Sequence, residues 1–578
     1  MMRYVNWTTF LSILLAIQFL PAQVPAFDWV TSPVGSAISR SVTAGSTGDG
    51  YVTGMFHSVL NFDTTLTLTS TGFGDMFIAR YDKDGGIVWA KSASGNYGDE
   101  AYCVESGYSG HIYVAGEFFS NEITFDSLTL INNHITPFHD DATKDIFLVK
   151  YNQDGQAIWA RSGGGIGMEF VRDIAVDPRE NVTLAGTLWS PSVAFGPYTL
   201  TKTGNVDVFI VQYDSSGQVR WAKNPAGTDQ ENAEGVCADT VGNVYLAGSF
   251  NSDSMQFDNI TLICSSNNFD TYIVEYDPYG NAIWAENAQG NDWDETRSVA
   301  LDKSGNIYLS GHFKSDSLKF GSEILYKSAS NNIDMFLVKY DPNHQVMWAR
   351  RSGGNIWSWV YPYEITIAPQ GNIWITGVFV GDGLIFNSTV LPNHGSYDFY
   401  ITKYNGFGEF LWAESIGGEG MDWGQGLTTD HFDNYYLAGY FESSFMVIGD
   451  TSLSNVPGQT KAFLVRITDQ TTKINPLKSE RGSFNIDLTN YPNPFNMTTQ
   501  IEFSLDKSRF IELKIFNIIG EEVATLVSDR LSAGFYSYNW SPPPRIASGV
   551  YLYRFMAKPS FPGERDQYDV MRKMVLMK

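Results

Sequence analysis

Acids, indoles or both recur in six short stretches: GNYGDEAY from Gly95, GIGMEFVR from Gly165, GTDQENAE from Gly227, GNDWDETR from Gly290, GNIWSWVYPY from Gly354 and GEGMDWGQG from Gly418. Their acids are Asp99, Glu100, Glu169, Glu231, Asp294, Glu295 and Asp422, and Trp293, Trp357, Trp359, Tyr361 and Trp423 crowd the last three stretches. Two carboxylates about 5–10 Å apart beside a groove are the machinery of glycoside hydrolysis. Asp294 or Glu295 with Asp422 is the pair on offer. Indole faces beside carboxylates suit stacking on a sugar or cation–π contact with a basic ligand. The same indoles also suit plugging gaps between packed sheets. The candidate ligand-binding set is Trp293, Asp294, Glu295, Trp357, Trp359, Asp422 and Trp423.

Other chemistries leave no compact signature. The chain has no G-x-S-x-G, no H-E-x-x-H and no phosphate-binding glycine loop. GGGIG at 163–167 lacks the strand-to-helix context such a loop needs. YDKDGG, with Asp82 and Asp84, hints at calcium, but the equivalent turns do not repeat the second acid and read as hairpin turns. His134, His139, Asp140 and Asp141 fall in one insertion whose spacing matches no standard metal site. Cys103, Cys237 and Cys264 cannot all pair within one chain and read as buried thiols, a Cys237–Cys264 bridge being the alternative. No metal and no cofactor is expected.

The elements that must position the acids come from a repeat. Tryptophan recurs at Trp29, Trp89, Trp159, Trp221, Trp284, Trp348 and Trp412, six of the seven followed by Ala. A second marker is Gly54, Gly116, Gly186, Gly248, Gly311, Gly377 and Gly439; a third is the string DMFIARYD, DIFLVKYN and its later copies. Each unit reads as four strands, a to d, with a hairpin between b and c. In one unit they are RSVALD, NIYLSGHF, DMFLVKYD and QVMWAR. The six acidic stretches are the connections from d to the next a, so all should lie on one face.

Four-stranded units that cannot bury themselves alone must stack, and radial stacking makes a β-propeller. A d strand around Trp29 precedes any a, b or c strand, and the last c strand, Phe463–Ile467, has no d strand after it. The two deficits are complementary. The expectation is a seven-bladed β-propeller over 27–467, its last blade closed by the N-terminal strand. The units resemble β-propeller repeats of secreted bacterial proteins, through Tyr276, Asp277, Gly280, Trp284 and Ala285 and through Gly305–Gly311.

Composition agrees with an all-β chain. Of 578 residues 15% are aromatic, 54 are glycine and only 17% are charged, which excludes disorder, collagen and long coiled coils. A net charge of −25 argues against nucleic acid or an anionic membrane as the main partner.

Both ends read as addresses. Residues 1–26 have Arg3, an apolar run from Phe10 to Leu20 and PAQVPA, the pattern of a secretory signal cleaved after Ala26. No integral membrane span is expected once it is removed. Residues 468–483 read as a polar linker. Residues 484–578 alternate through several short strands, as in a small immunoglobulin-like β-sandwich. This segment resembles the C-terminal sorting domain of type IX secretion cargo. The carrying motifs are YPNPFN (Tyr491, Pro492, Asn493, Pro494), FIELKIFNIIG ending at Gly520, ASGVYLYR (Gly549, Tyr551, Arg554) and RKMVLMK (Lys573, Lys578). Met497, where the family usually has Pro, and the long KPSFPGERDQYDV hairpin depart from its pattern. The resemblance implies export through the type IX translocon and a secreted or outer-surface location in a Gram-negative-type bacterium.

The function expected is a non-enzymatic module binding an extracellular glycan or protein ligand. The competing reading is an extracellular carbohydrate-active hydrolase or lyase using the acids above.

Overall fold

The computed structural model describes residues 25–576 except 133–142, 266–267, 356, 470–487, 492–494, 496–497, 506–507, 518–521, 533, 544–545 and 559–567. The expected signal segment up to residue 24, the His134–Asp141 insertion, most of the linker and Pro492, Asn493, Pro494, Gly520 and Lys578 lie outside the described residues. Every regular element described is a strand. The chain divides into two compact units, Met1–Thr471 and Thr472–Lys578.

The first unit contains seven antiparallel sheets built on four strands in the order a-b-c-d. In the fifth sheet these are Asp294–Leu301, Ile307–Phe313, Asp334–Tyr340 and Val346–Ser352. The seventh sheet takes its strands from both ends of the unit. Asp422–Thr429, Asn434–Phe441 and Lys461–Thr468 are joined by Ala26–Thr31, which pairs antiparallel with the last of them, Trp29 opposite Arg466. Asp469, directly after this strand, is ion-paired with the buried Lys403.

Strands b and c are rich in β-branched and aromatic residues because both their faces are covered. All seven residues of Ile307–Phe313 and of Asp334–Tyr340 are buried. The cores lie between sheets: Tyr308, Leu337 and Trp348 of the fifth sheet pack with Ile365, Phe379 and Tyr400 of the sixth. The a strands touch in succession, and the first, Val34–Ala44, touches both Asp99–Ser106 and Asp422–Thr429, so the series of contacts closes on itself.

The sequence markers are the joints between sheets. Six of the seven d-strand indoles reach the c-to-d turn of the next sheet; Trp412 packs on Trp374 instead. Trp29, Trp89 and Trp159 donate their indole N–H to the carbonyls of Lys83, Gln153 and Ser215 at 3.0, 2.9 and 3.1 Å. Trp221 covers Gly280, whose φ is 84°, and a Cβ there would lie 2.7 Å from the indole. In the next joint His344 takes the glycine's place and stacks on Trp284, centroids 4.1 Å apart. The turns themselves are held by an acid or amide: Asp82 Oδ1 accepts from the N–H groups of Asp84 and Gly86, both at 2.9 Å. That is hairpin chemistry, as read from YDKDGG.

The second unit has two sheets. Leu488–Tyr491, Thr499–Leu505 and Gly534–Trp540 form one; Glu522–Leu531, Arg509–Asn517, Gly549–Lys558 and Tyr568–Leu576 form the other. Ile501, Phe503 and Trp540 of the first pack against Ile511, Leu513 and Phe555 of the second in one core.

Candidate functional site

The a strands begin earlier than the sequence suggests. The fifth starts at Asp294, three residues before Arg297, and the seventh at Asp422. The acids read as loop residues are therefore strand residues, because their backbone N–H groups are already paired. Asp294 N donates to Phe269 O and Asp422 N to Tyr397 O, at 2.9 and 2.8 Å.

Their side chains are buried and occupied. Asp294 is fully buried and accepts from Ser315 Oγ at 2.6 Å and from the N–H groups of Lys314 and Ser315 at 3.1 Å. Asp422 repeats this with Ser443 Oγ at 2.7 Å and Gly418 N at 2.7 Å. Asp99 does so with Ser120 Oγ at 2.8 Å, and Glu231 is hydrogen-bonded to Ser252. Burial pushes the carboxyls of Asp99, Glu231 and Asp294 up to about 7. The charges of Asp75, Asp207 and Asp270, each at the start of the preceding c strand, add to the effect. The side chains of the recurring acids thus tie each a strand to the end of its own b strand. Asp294 and Asp422 belong to sheets five and seven, and each is spent within its own sheet.

The other candidates differ in exposure. Glu295 accepts from Trp293 Nε1 at 2.7 Å and lies 3.7 Å from both Arg297 and His312. Burial pushes His312 down to about 3, so its imidazole is neutral. Trp293 meets the His312 ring edge-on, centroids 5.3 Å apart. Trp423 lies nearly parallel to Tyr397 and Tyr440, at 5.7 and 6.0 Å, and 5.8 Å from Tyr363. Trp357 is exposed and sits 5.6 Å from Trp359. The indoles do not form one platform: Trp423 and Trp293 are committed to aromatic packing, and Trp357 remains open.

A different set of residues converges. Every a strand carries a β-bulge, placing one residue outside the ladder and re-aiming its side chain. The seven bulge residues are Arg40, Tyr102, Arg172, Glu234, Arg297, Tyr363 and Gln425. All seven line one cavity of about 330 Å³, together with Trp423 and Tyr440. The bulge also explains the b-strand glycines. A Cβ at Gly311 would lie 2.1 Å from Glu295 O, because the a strand arches over it. Beyond the bulges the a strands enclose a second cavity of about 430 Å³, lined in part by Glu105, Asp173 and Glu364. Burial pushes these three carboxyls up to about 8, 7 and 8.

Two of the three bulge arginines are neutralised. Arg40 pairs with Glu100 at 2.7 Å and Arg297 with Glu234 at 3.1 Å. Arg40 also faces Tyr102 at 5.4 Å, and Arg297 faces Tyr363 at 5.5 Å. Sequence reasoning missed this set. Its signal is a long polar residue three places after the buried first position of five of the seven a strands, legible only when the repeats are aligned on the bulge. Among the described residues no group of three or more His, Cys, Asp or Glu is placed to hold a metal ion. The three cysteines are free thiols, and Cys103 Sγ donates to Arg172 O at 3.1 Å. No described helix is long and apolar enough to cross a membrane.

In the second unit Tyr491 ends a strand opposite Gln500. Tyr551 is buried and donates its hydroxyl to Ala547 O at 2.8 Å. Gly549 opens the strand that contains Arg554, and Lys573 lies opposite Leu552. These residues fall within or beside a segment that matches a known family model. Residues 489–560 match the family model of a secretion system C-terminal sorting domain. The sorting domain marks the chain for type IX export, and hence for secretion or the cell surface. The repeat unit has curated relatives of low identity. An uncharacterised WD repeat-containing protein of Acanthamoeba polyphaga mimivirus is 26% identical over 364 residues, 53% of this chain and 26% of its own length. The regulatory protein FlaEY of Caulobacter vibrioides is 30% identical over 126 residues, 20% of this chain and 12% of its own. The matched stretches thus span about a quarter or less of those relatives. The WD-repeat relative supports a β-propeller built of repeats. Among solved structures, a puromycin hydrolase variant superposes with TM-score 0.36 at 12% identity, covering 83% of this chain and 62% of that one. A Synechocystis apocarotenoid oxygenase gives 0.30 at 9%, covering 69% and 94%. These superpositions are too loose to bear on function.

Proposed function

We propose that the chain is a secreted or surface-displayed, non-enzymatic binding module. In this reading the seven sheets are the blades of a propeller closed by Ala26–Thr31, and the second unit is an immunoglobulin-like sorting sandwich. The observation that carries the non-enzymatic part is the state of the acids. Asp294 and Asp422 are fully buried and hydrogen-bonded within separate sheets. A pair of carboxylates flanking a scissile bond must instead face a groove. The axial cavity ringed by the bulge residues, concave and lined by charged and aromatic groups, is the ligand site. Incubation of the purified protein with a polysaccharide panel tests this: retention on a ligand without new reducing ends or unsaturated products is expected, and product formation refutes it. Export is tested separately with a reporter fused to residues 484–578. The reporter should reach the outside only in cells with a working type IX apparatus, and retention in both backgrounds refutes the sorting role.

A further inference from the structure

The third bulge arginine, Arg172, stands apart from Arg40 and Arg297. It is exposed, and among the described residues its guanidinium makes no hydrogen bond and no ion pair. Its guanidinium carbon lies 5.9 Å from the centroid of the Phe170 ring. Glu234 feels its charge from beyond contact distance and is itself engaged with Arg297. The backbone at this point is pinned on both sides, by Cys103 Sγ on Arg172 O and by Val236 N on Asp173 Oδ2 at 2.8 Å. The bulge is therefore a fixed mount that points a free guanidinium into the cavity.

We propose that this cavity binds the carboxylate of a small hydroxylated acid, a sugar acid, with Arg172 as its anchor. The inference rests on the binding-module reading and names its ligand. A guanidinium presents two parallel N–H donors that match a carboxylate. The volume of about 330 Å³ is at the small end for ligand sites, so one compact molecule or the end of a chain fits. Tyr102, Tyr363 and Gln425 line the same cavity and bring phenol and amide groups suited to hydroxyls. Glu234, Asp173 and Glu364 line the cavity, with Glu100 and Glu295 beside it on Arg40 and Arg297; they oppose a second negative charge, which selects a single carboxylate over sulfate, phosphate or a polyanion.

The test is calorimetric titration of the purified full chain with glucuronate, glucose, lactate and sulfate, repeated on Arg172→Gln and Arg172→Lys. Glucuronate should bind, and glucose and sulfate should not. Loss of a charge-assisted bidentate contact should weaken binding roughly tenfold to a hundredfold in Arg172→Gln. The Lys variant should keep part of the affinity. Melting temperatures should be unchanged, because the guanidinium holds nothing in the fold. Absence of glucuronate binding, or equal binding by Arg172→Gln, overturns the proposal. Equal affinity for lactate overturns the sugar-acid assignment. A panel glycan or protein that binds wild type and Arg172→Gln alike overturns the cavity assignment while leaving the binding-module reading intact.

Discussion

Replacing Asp294 with Asn should change how the stability of the first unit depends on pH. The Asp294 carboxyl is fully buried, and burial raises it from 3.8 to about 7, with Asp270 adding repulsion. The folded state therefore holds the proton more tightly than the unfolded chain. Its contribution to stability is complete below about pH 4 and is lost as the pH rises through about 7. A shift of about three units at ~1.4 kcal/mol per unit sets an upper scale of about 4 kcal/mol for this one group. Asn mimics the protonated acid. Its carbonyl can accept from the Lys314 and Ser315 N–H groups, but Ser315 Oγ, which already accepts from the N–H groups of Asn291 and Asp292, loses the carboxyl oxygen it donates to. Asn does not titrate, so Asp294→Asn should remove close to one proton from the linkage between pH 4 and 7. Its stability should fall less steeply by up to ~1.4 kcal/mol per pH unit. Urea unfolding at four pH values across that window reads the slope. The variant should lie below wild type near pH 4.5, where it lacks the Ser315 bond, and should gain on it steadily up to pH 8. Parallel slopes for the two proteins would refute the assignment of a buried, proton-holding acid.

Three further outcomes follow from the joints and the ends. Gly280→Val places a Cβ 2.7 Å from the Trp221 indole at a residue with φ of 84°; a loss of roughly 2–4 kcal/mol is expected from strain and overpacking, and an unchanged melting temperature contradicts the joint. Deleting residues 26–31 uncovers the outer edge of Lys461–Thr468 and should cause self-association visible in light scattering, whereas a monomer of unchanged stability refutes the closing role. The reporter fusion to residues 484–578 should be exported only where type IX secretion operates.

The sequence was legible where physics repeats. Tryptophan, the turn glycine and the c-strand string mark contacts made again at each joint, so spacing alone revealed the strands and the complementary deficit at the two ends. The recurring acids were legible as a pattern but not as a role. Asp294 and Asp422 look like paired catalysts in a list of residues, and only burial with Ser315 and Ser443 identifies them as ties. Trp423 suits either a sugar platform or a packing plug by sequence, and the Tyr397 and Tyr440 rings lying along it favour packing.

By itself the sequence determined the all-β class, the repeat and the sorting domain, because each is written in residues close together along the chain. The tertiary structure alone decided the site. A bulge shifts one residue out of register in each of seven strands, and residues some sixty positions apart then meet in one cavity. Which of three equivalent arginines stays free depends on whether Glu100 or Glu234 lies within reach. That is a fact of distance across the ring, and no spacing in the chain encodes it.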